Sequence, residues 1–314
     1  MTRVPLDSAS TMLAGRPHAA ARAFVELGKP GITRMVTITA GTGFAIAAML
    51  HGLAVSELVV PALACLIGTA VSSMGANALN EVIEWRADAR MARTRGRPIP
   101  SGRLSIGASL AFACCCSVLG PLVLAMLASH LAGAIAAATI LLYAFVYTPL
   151  KTVTSGSILV GAIPGALPVL IGWLAASPDG WADLRAWPAW SVFGVLLVWQ
   201  IPHFLAIASL YRDEYAAAGY RMIPGDVDDR MLGGLVIAWT AALLAVSVGP
   251  LLAMPGQMGW VYALAAGSVG CWFLSTGIRM RRSPSRQTTR AVFLASIGYL
   301  PVVMLALVLD AFIA

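Results

Sequence analysis

The sequence predicts an all-α, polytopic membrane protein, a single bundle of about nine transmembrane helices, and three observations predict it. Its 314 residues are 59% hydrophobic and only 11% charged, with a mean hydropathy of +0.82, whereas soluble domains carry about a quarter charged residues. Nine apolar runs approach or exceed the roughly 20 residues that one helical crossing needs. Lys and Arg then fall almost entirely in alternate connections. Strands are not expected, because a spanning segment must satisfy its backbone internally. The spans leave no room for a sizeable soluble domain, so any site must lie in the bundle or on its loops.

In chain order, residues 1–30 are expected to form a cytoplasmic tail. Asp7, Arg16, His18 and Arg22 interrupt it, and it has no apolar core followed by a small-residue cleavage site. Residues 31–314 then make one transmembrane domain, with apolar runs at 35–52, 58–83, 106–128, 131–148, 157–176, 189–209, 233–253, 259–278 and 291–313. The third and fourth runs are separated by a turn near His130. The fifth carries Gly161, Gly165, Gly172, Pro164 and Pro168, which allow close helix approach or a broken helix. Pro202 kinks the sixth. Connections near 129–131 and 254–258 are minimal, but those at 84–105 and 210–232 are long and densely charged, and function is expected there. Cys65, Cys114, Cys115, Cys116 and Cys271 all lie in apolar runs without CxxC spacing, which argues against disulfides and thiolate metal sites.

Placing the N-terminus in the cytoplasm puts every one of the 21 Lys and Arg residues except Arg185 on the cytoplasmic side, and the positive-inside rule selects that orientation. Nine spans then leave Ala314 outside. The net charge of +7 therefore reports topology, not a nucleic-acid partner. The two charged loops follow the second and sixth helices and are expected to face one another across two similar halves. Arg90-Met91 with Ile99-Pro100-Ser101-Gly102 in one loop faintly parallels Arg221-Met222-Ile223-Pro224-Gly225 in the other.

Asn80, Glu84 and Asp88 recur every four residues, so three oxygen-bearing side chains share one helix face. Such a set suits Mg²⁺, which takes one or two carboxylates, waters and substrate phosphates; zinc would want His or Cys. Arg90, Arg93, Arg95, Arg97 and Arg103 follow among turn residues, and guanidinium forks hold phosphate oxygens in pairs. A basic loop alone would serve equally as an anchor at the anionic inner leaflet. The acidic triplet directly upstream tilts the reading to a site for metal and diphosphate. In the second loop Asp213 and Glu214 offer a second Mg²⁺ site, with Arg212 and Arg221 for phosphate oxygens, and a solvated, salt-bridged loop is the plain alternative. Asp226, Asp228 and Asp229 lie further out and are expected to be exposed. Lys151 reads either as a topology anchor or as a diphosphate partner, with Tyr147 directed into the bundle. His203, polar at membrane depth, admits three readings: a haem or substrate contact, a proton carrier, or a helix-to-helix hydrogen bond.

In order along the chain, Asn80-x-x-x-Glu84-x-x-x-Asp88-x-x-Met91-x-Arg93-Thr94 and Arg97-Pro98-x-Pro100-x-Gly102 resemble the first aspartate-rich motif of the UbiA-type intramembrane prenyltransferases. Glu26-Leu-x-Lys29-Pro30, Tyr147-Thr148-Pro149-Leu150-Lys151, Gly161-Ala-x-Pro164-Gly165-Ala-x-Pro168 through Gly172-Trp173, Trp199-Gln200-x-Pro202-His203-Phe204 and Tyr215-x-x-Ala-Gly219-x-x-Met222 are similar to its haem-farnesylating subfamily, over about 24–232. The chain departs from that pattern. Glu84 stands where Asp is usual, Arg86 where a further Asp is usual, Gly31 where Arg is usual, and an Asn expected near Ser157 is absent.

The resemblance implies transfer of the farnesyl group of farnesyl diphosphate to the 2-vinyl group of haem b, with addition of water, giving haem O. It implies Mg²⁺ held by Asn80, Glu84 and Asp88 on one side and by Asp213 with Glu214 on the other. Asp88, Arg93, Lys151 and Asp213 then fall in the catalytic machinery, and Arg97, Tyr147, His203, Arg212 and Arg221 among the substrate contacts. It places the chain in the inner (plasma) membrane, with haem A synthase or a terminal oxidase as recipient of the product. Two alternatives stand beside it: the same fold acting on an aromatic or quinone precursor, and a secondary transporter. A transporter would set its polar groups near the bilayer midplane, whereas here the carboxylates cluster at cytoplasmic helix ends beside arginines.

Overall fold

A computed structural model describes residues 17–313, and every regular element among them is a helix. In chain order these are α1 (Pro17–Leu27), α2 (Pro30–Leu50), α3 (Val55–Asp88), α4 (Ile106–Leu127), α5 (His130–Val153), α6 (Ser157–Ala175), α7 (Gly180–Arg185), α8 (Trp187–Leu210), α9 (Arg212–Ala218), α10 (Ile223–Asp226), α11 (Asp229–Ala253), α12 (Trp260–Arg282) and α13 (Arg286–Ile313). Nine of them, all but α1, α7, α9 and α10, are long and apolar enough to cross a membrane. They turn Val59, Leu63, Leu122, Leu141, Leu264 and Leu305 outward, a lipid-facing belt that a soluble monomer would not expose on this scale. The chain is a multi-pass membrane protein.

The helices match the nine apolar runs but overshoot them, chiefly at the charged ends. α2 starts at Pro30 and contains Arg34, α3 runs on through Glu84 and Asp88, α12 through Arg279, Arg281 and Arg282, and α13 begins at Arg286. Helical hydrogen bonding does not end where the hydrocarbon does. The 34 residues of α3 span about 51 Å, well beyond the roughly 30 Å apolar core, so its last turns stand in the interface.

α6 lies at the centre, with 78% of its apolar window buried, against α2, α5 and α8. Small residues make that possible. A Cβ on Gly172 would lie 1.7 Å from the Ala40 carbonyl oxygen, and one on Gly43 would lie 2.1 Å from that of Val169. Gly68, Gly75 and Gly120 line the seam between α3 and α4 in the same way. α8, α11, α12 and α13 form the second half, and α13 closes back onto α2. There the buried Asp310 carboxylate accepts the backbone N–H groups of Gly259 (2.8 Å) and Tyr262 (2.7 Å), capping the start of α12.

Residues 1–16 of the expected N-terminal tail, and Ala314, lie outside the described residues. The remainder of the tail folds as α1, whose Ala23 and Leu27 are buried and whose Phe24 ring lies 5.3 Å from that of Phe112 on α4. A short amphipathic helix of this kind is invisible to a search for runs long enough to span.

Candidate active site

α3 delivers Asn80, Glu84 and Asp88 to its interfacial end, where they are 2%, 8% and 1% exposed. Buried charges persist only when paired, and each of the three meets a cation from another part of the chain. Lys29, just ahead of α2, donates to Asn80 Oδ1 at 2.6 Å. Lys151, in the last turn of α5, donates to Glu84 Oε1 at 2.8 Å. Arg97, in the loop after α3, donates to Asp88 Oδ2 at 2.6 Å. The Asn80 amide completes the row by donating to Glu84 Oε2 at 2.8 Å and to Thr148 Oγ1 at 3.1 Å.

Local chemistry explains how α5 reaches this row. Pro149 has no N–H to give, and its ring would clash with the carbonyl four residues back. The helix widens into a π turn over Leu142–Tyr147, and the Thr148 N–H and hydroxyl both bond the Tyr143 carbonyl. Such turns recur at functional sites. Tyr147 projects inward, as expected, over Gly161, where a Cβ would come 2.4 Å from its ring. The Lys151 ammonium sits 4.7 Å from the Tyr147 ring centre.

The loop after α3 is ordered by its own contacts. Gly102 supplies the positive φ (74°) of its tight turn. Glu81, fully buried, accepts the Ile99 N–H at 3.1 Å and leaves its second oxygen without a partner. Arg103 forks onto Glu26 of α1 at 2.5 and 2.7 Å and also bonds the Gly96 carbonyl at 2.6 Å. Arg103 beside it holds the Glu26 carboxyl below the usual carboxylate range. Thr94 bonds the Asp88 carbonyl at 2.9 Å.

The second charged loop folds onto the first. Glu214 of α9 accepts the Arg93 N–H at 3.2 Å, and the Arg93 guanidinium donates to the Tyr215 hydroxyl at 3.2 Å while lying over the Tyr211 ring at 4.9 Å. Arg221 bonds the α5 terminus, through its N–H to the Lys151 carbonyl (2.7 Å) and its side chain to the Val153 carbonyl (3.2 Å). Tyr220 is buried with its ring 5.7 Å from the Lys151 ammonium. Burial, reinforced by the Glu84 and Asp88 carboxylates, pushes its hydroxyl far above its ordinary pKa. Burial also pulls Lys29 down to about 7, with Arg97 and Lys151 adding to the fall and Glu84 and Asp88 opposing it.

The remaining expected residues lie apart from this centre. Asp213, next to Glu214 on α9, is exposed. Arg212 pairs with Asp229 at 2.6 Å, the salt-bridged arrangement that was the plain alternative for this segment. His203 bonds Ser296 of α13 through Nδ1 at 2.7 Å, stacked between Trp199 and Phe293; of its three readings, a helix-to-helix hydrogen bond is the one formed here. Among the described residues no three His, Cys, Asp or Glu side chains gather as a ready-made metal cluster. The oxygen-only face of Asn80, Glu84 and Asp88 nevertheless has the donor chemistry a hard cation requires. Lys29, Glu81, Thr148 and Tyr220 were absent from the expected site. Lys29 and Thr148 carried a signal, their places in the Glu26–Pro30 and Tyr147–Lys151 motifs.

The UbiA prenyltransferase family model matches residues 35–298. The chain is 36% identical over 298 residues to protoheme IX farnesyltransferase of Solibacter usitatus, covering 92% of this chain and 98% of the relative. It is 37% identical to that of Salinibacter ruber (92% and 99% covered) and 34% identical to the mitochondrial one of Arabidopsis thaliana (97% and 68%). Among solved structures, digeranylgeranylglyceryl phosphate synthase shares the fold with a TM-score of 0.73 at 15% identity, covering 94% and 99% of the two chains. A UbiA homologue from Archaeoglobus fulgidus bound to DMAPP and Mg²⁺ shares it at 0.59 and 10% identity, covering 90% and 98%. With a packed acid–base centre at the interfacial end of a nine-helix bundle and relatives alike over nearly its whole length, the chain belongs to the UbiA prenyltransferase family, in the branch whose members are named protoheme IX farnesyltransferase.

Proposed function

We propose that this chain transfers the farnesyl group of farnesyl diphosphate to the 2-vinyl group of haem b, with addition of water, releasing diphosphate and haem O. The observation that carries the reading is the row Asn80–Glu84–Asp88, buried, with its two carboxylates paired to Lys151 and Arg97 and its amide oxygen bonded by Lys29. Asn80, Glu84 and Asp88 would hold Mg²⁺ from one side and Glu214, with Asp213 beside it, from the other. When bound, the ion would neutralise the departing diphosphate. Lys29, Lys151 and Arg97 are then positioned to exchange their carboxylate and amide partners for phosphate oxygens, with Arg93 approaching from the first loop and Arg212 and Arg221 from the second. Preformed cations aimed at charge that develops on the leaving group favour ionisation of the allylic C–O bond. Tyr147 and the apolar walls of α5, α6 and α8 would keep water from the allylic cation until the vinyl carbon attacks it. His203, its Nδ1 held by Ser296, would present its other ring nitrogen to haem.

The acceptor rests on the relatives' names and the Trp199–Phe204 segment, and the diphosphate chemistry on the buried row. We infer that the chain lies in the inner membrane with its charged loops cytoplasmic, and hands its product to haem A synthase or a terminal oxidase. The test is to incubate membranes carrying the protein with haem b, farnesyl diphosphate and Mg²⁺, with and without EDTA, and to seek a farnesylated, hydrated haem by mass spectrometry. A Mg²⁺-dependent product is expected, and Asp88→Ala is expected to lower it by about 10²–10³-fold while the protein stays folded in the membrane. Unchanged turnover in Asp88→Ala would sink the metal assignment. Folded protein that gives no product from haem yet prenylates an aromatic acceptor would remove the haem reading alone.

A further inference from the structure

A second basic feature lies outside this centre, where α11 begins and α12 ends. A groove of about 900 Å³ opens between the two helices there, within the roughly 300–1,000 Å³ range of small-molecule sites. None of its lining residues belongs to the centre around Asn80, Glu84 and Asp88. One wall is apolar: Met231, Leu235 and Ile278 face it, and Met231 is 57% exposed. Two successive glycines of α11 have different tasks here, and only Gly234 lines the groove. Gly233 lets the helices touch, since a Cβ there would lie 2.7 Å from Arg281 Cα, while Gly234 faces open space with nothing within 4 Å.

The rim carries Arg230, Arg281 and Arg282, all exposed, and among the described residues none of them enters an ion pair. The one carboxylate at the groove, Asp228, is committed to capping α11 by accepting the Met231 N–H at 2.7 Å. Three guanidinium groups against a single carboxylate, above an apolar trough at the ends of two helices long and apolar enough to cross a membrane, match one kind of molecule. Its head must be anionic and its tail must lie along the helices. Basic pockets between transmembrane helices on the cytoplasmic side bind lipid phosphates by this chemistry.

We propose that this groove binds one anionic phospholipid of the cytoplasmic leaflet, its phosphate held by Arg230, Arg281 and Arg282 and one acyl chain laid along Met231, Leu235 and Ile278. The proposal is independent of the prenyl-transfer reading. It concerns helices whose other faces pack against α8 and α13, so the lipid would brace the second half of the bundle at its interfacial end.

The full-length protein, purified in detergent, would be titrated with dioleoyl phosphatidylglycerol or dioleoyl phosphatidylcholine, and bound lipid counted by native mass spectrometry. One phosphatidylglycerol is expected to bind at least tenfold more tightly than phosphatidylcholine. The triple variant Arg230→Gln, Arg281→Gln, Arg282→Gln is expected to lose that preference. A variant losing the same charge elsewhere, Arg22→Gln, Arg90→Gln, Arg95→Gln, is expected to keep it. Gly234→Leu fills the groove with all its charges retained, into space that is open, and is expected to weaken binding about tenfold. Unaltered binding in Gly234→Leu, equal loss in the two triple variants, equal binding of the two lipids, or displacement by equimolar glycerol 3-phosphate would each overturn the proposal.

Discussion

At the scale of single residues, the centre is a set of cross-chain charge pairs, and their value is best read by breaking them one side at a time. Lys151 and Glu84 are 11% and 8% exposed in their side chains. Removing one partner of a pair this buried costs about 3–5 kcal/mol, because the other charge is left alone, whereas replacing both is often near neutral. Lys151→Met should therefore lower thermal stability in detergent by more than Lys151→Met with Glu84→Gln, and a double-mutant cycle on the two melts should give a coupling above about 1 kcal/mol. Additive effects would show that the pair is not formed. The sequence made Glu84 and Lys151 visible, one by its helical spacing and the other as a lone cation. It did not show that they touch, because their 67-residue separation is closed by the α5 π turn and by packing that no local pattern encodes. Glu81 was hidden differently. It sits one residue off the repeating face, and its significance lies in the Ile99 N–H it accepts.

At the scale of elements, helix contacts are set by small residues and loops by a few clamps. Gly172→Ala would drive a methyl group into the Ala40 carbonyl, a backbone atom that moves only if α2 and α6 separate, and overpacking of this sort costs about 1–3 kcal/mol or more. Gly31→Ala, in the first turn of α2 with nothing within 4 Å, should be neutral or slightly stabilising, so the two melts should move apart. The loop clamp titrates. Glu26 has its carboxyl lowered by Arg103 in the folded protein, so its contribution is present above the ordinary value near 4.5 and is lost as pH falls through the lower folded value. Both side chains are nearly half exposed, and solvent screening keeps the gain to about 0.2–1 kcal/mol. Glu26→Gln should thus melt slightly earlier than the parent at pH 7, with the gap closing below pH 4.5. A gap that widens with acid would refute the clamp. The nine spans were legible because hydropathy reads burial in lipid directly. α1 was not, since only its tertiary contacts with α3 and α4 reveal it.

At the scale of the whole molecule, the distribution of charge and the position of the centre make one argument. The row Asn80–Glu84–Asp88, both charged loops and the α11–α12 groove all lie at the end of the bundle where Lys and Arg concentrate. The opposite end carries fewer charges and is mostly acidic: Glu57, Asp179, the His51–Asp183 pair at 3.0 Å and the Asp310 cap, with Arg185. A prenyl diphosphate has the same polarity, with a charged head and an apolar tail, so a bundle with a basic, carboxylate-bearing end and an apolar interior would take it in one direction only. If the positive-inside rule orients the chain, that end faces the cytoplasm, and the orientation can be read without any assay of turnover. Ser283→Cys lies in the exposed link between α12 and α13, and Pro178→Cys in the exposed link between α6 and α7. The five native thiols sit within membrane helices, buried or facing lipid, beyond a charged reagent. A membrane-impermeant maleimide applied to intact cells should label Pro178→Cys and spare Ser283→Cys until the membrane is opened. The reverse pattern would turn the centre outward and require its diphosphate substrate from the other side.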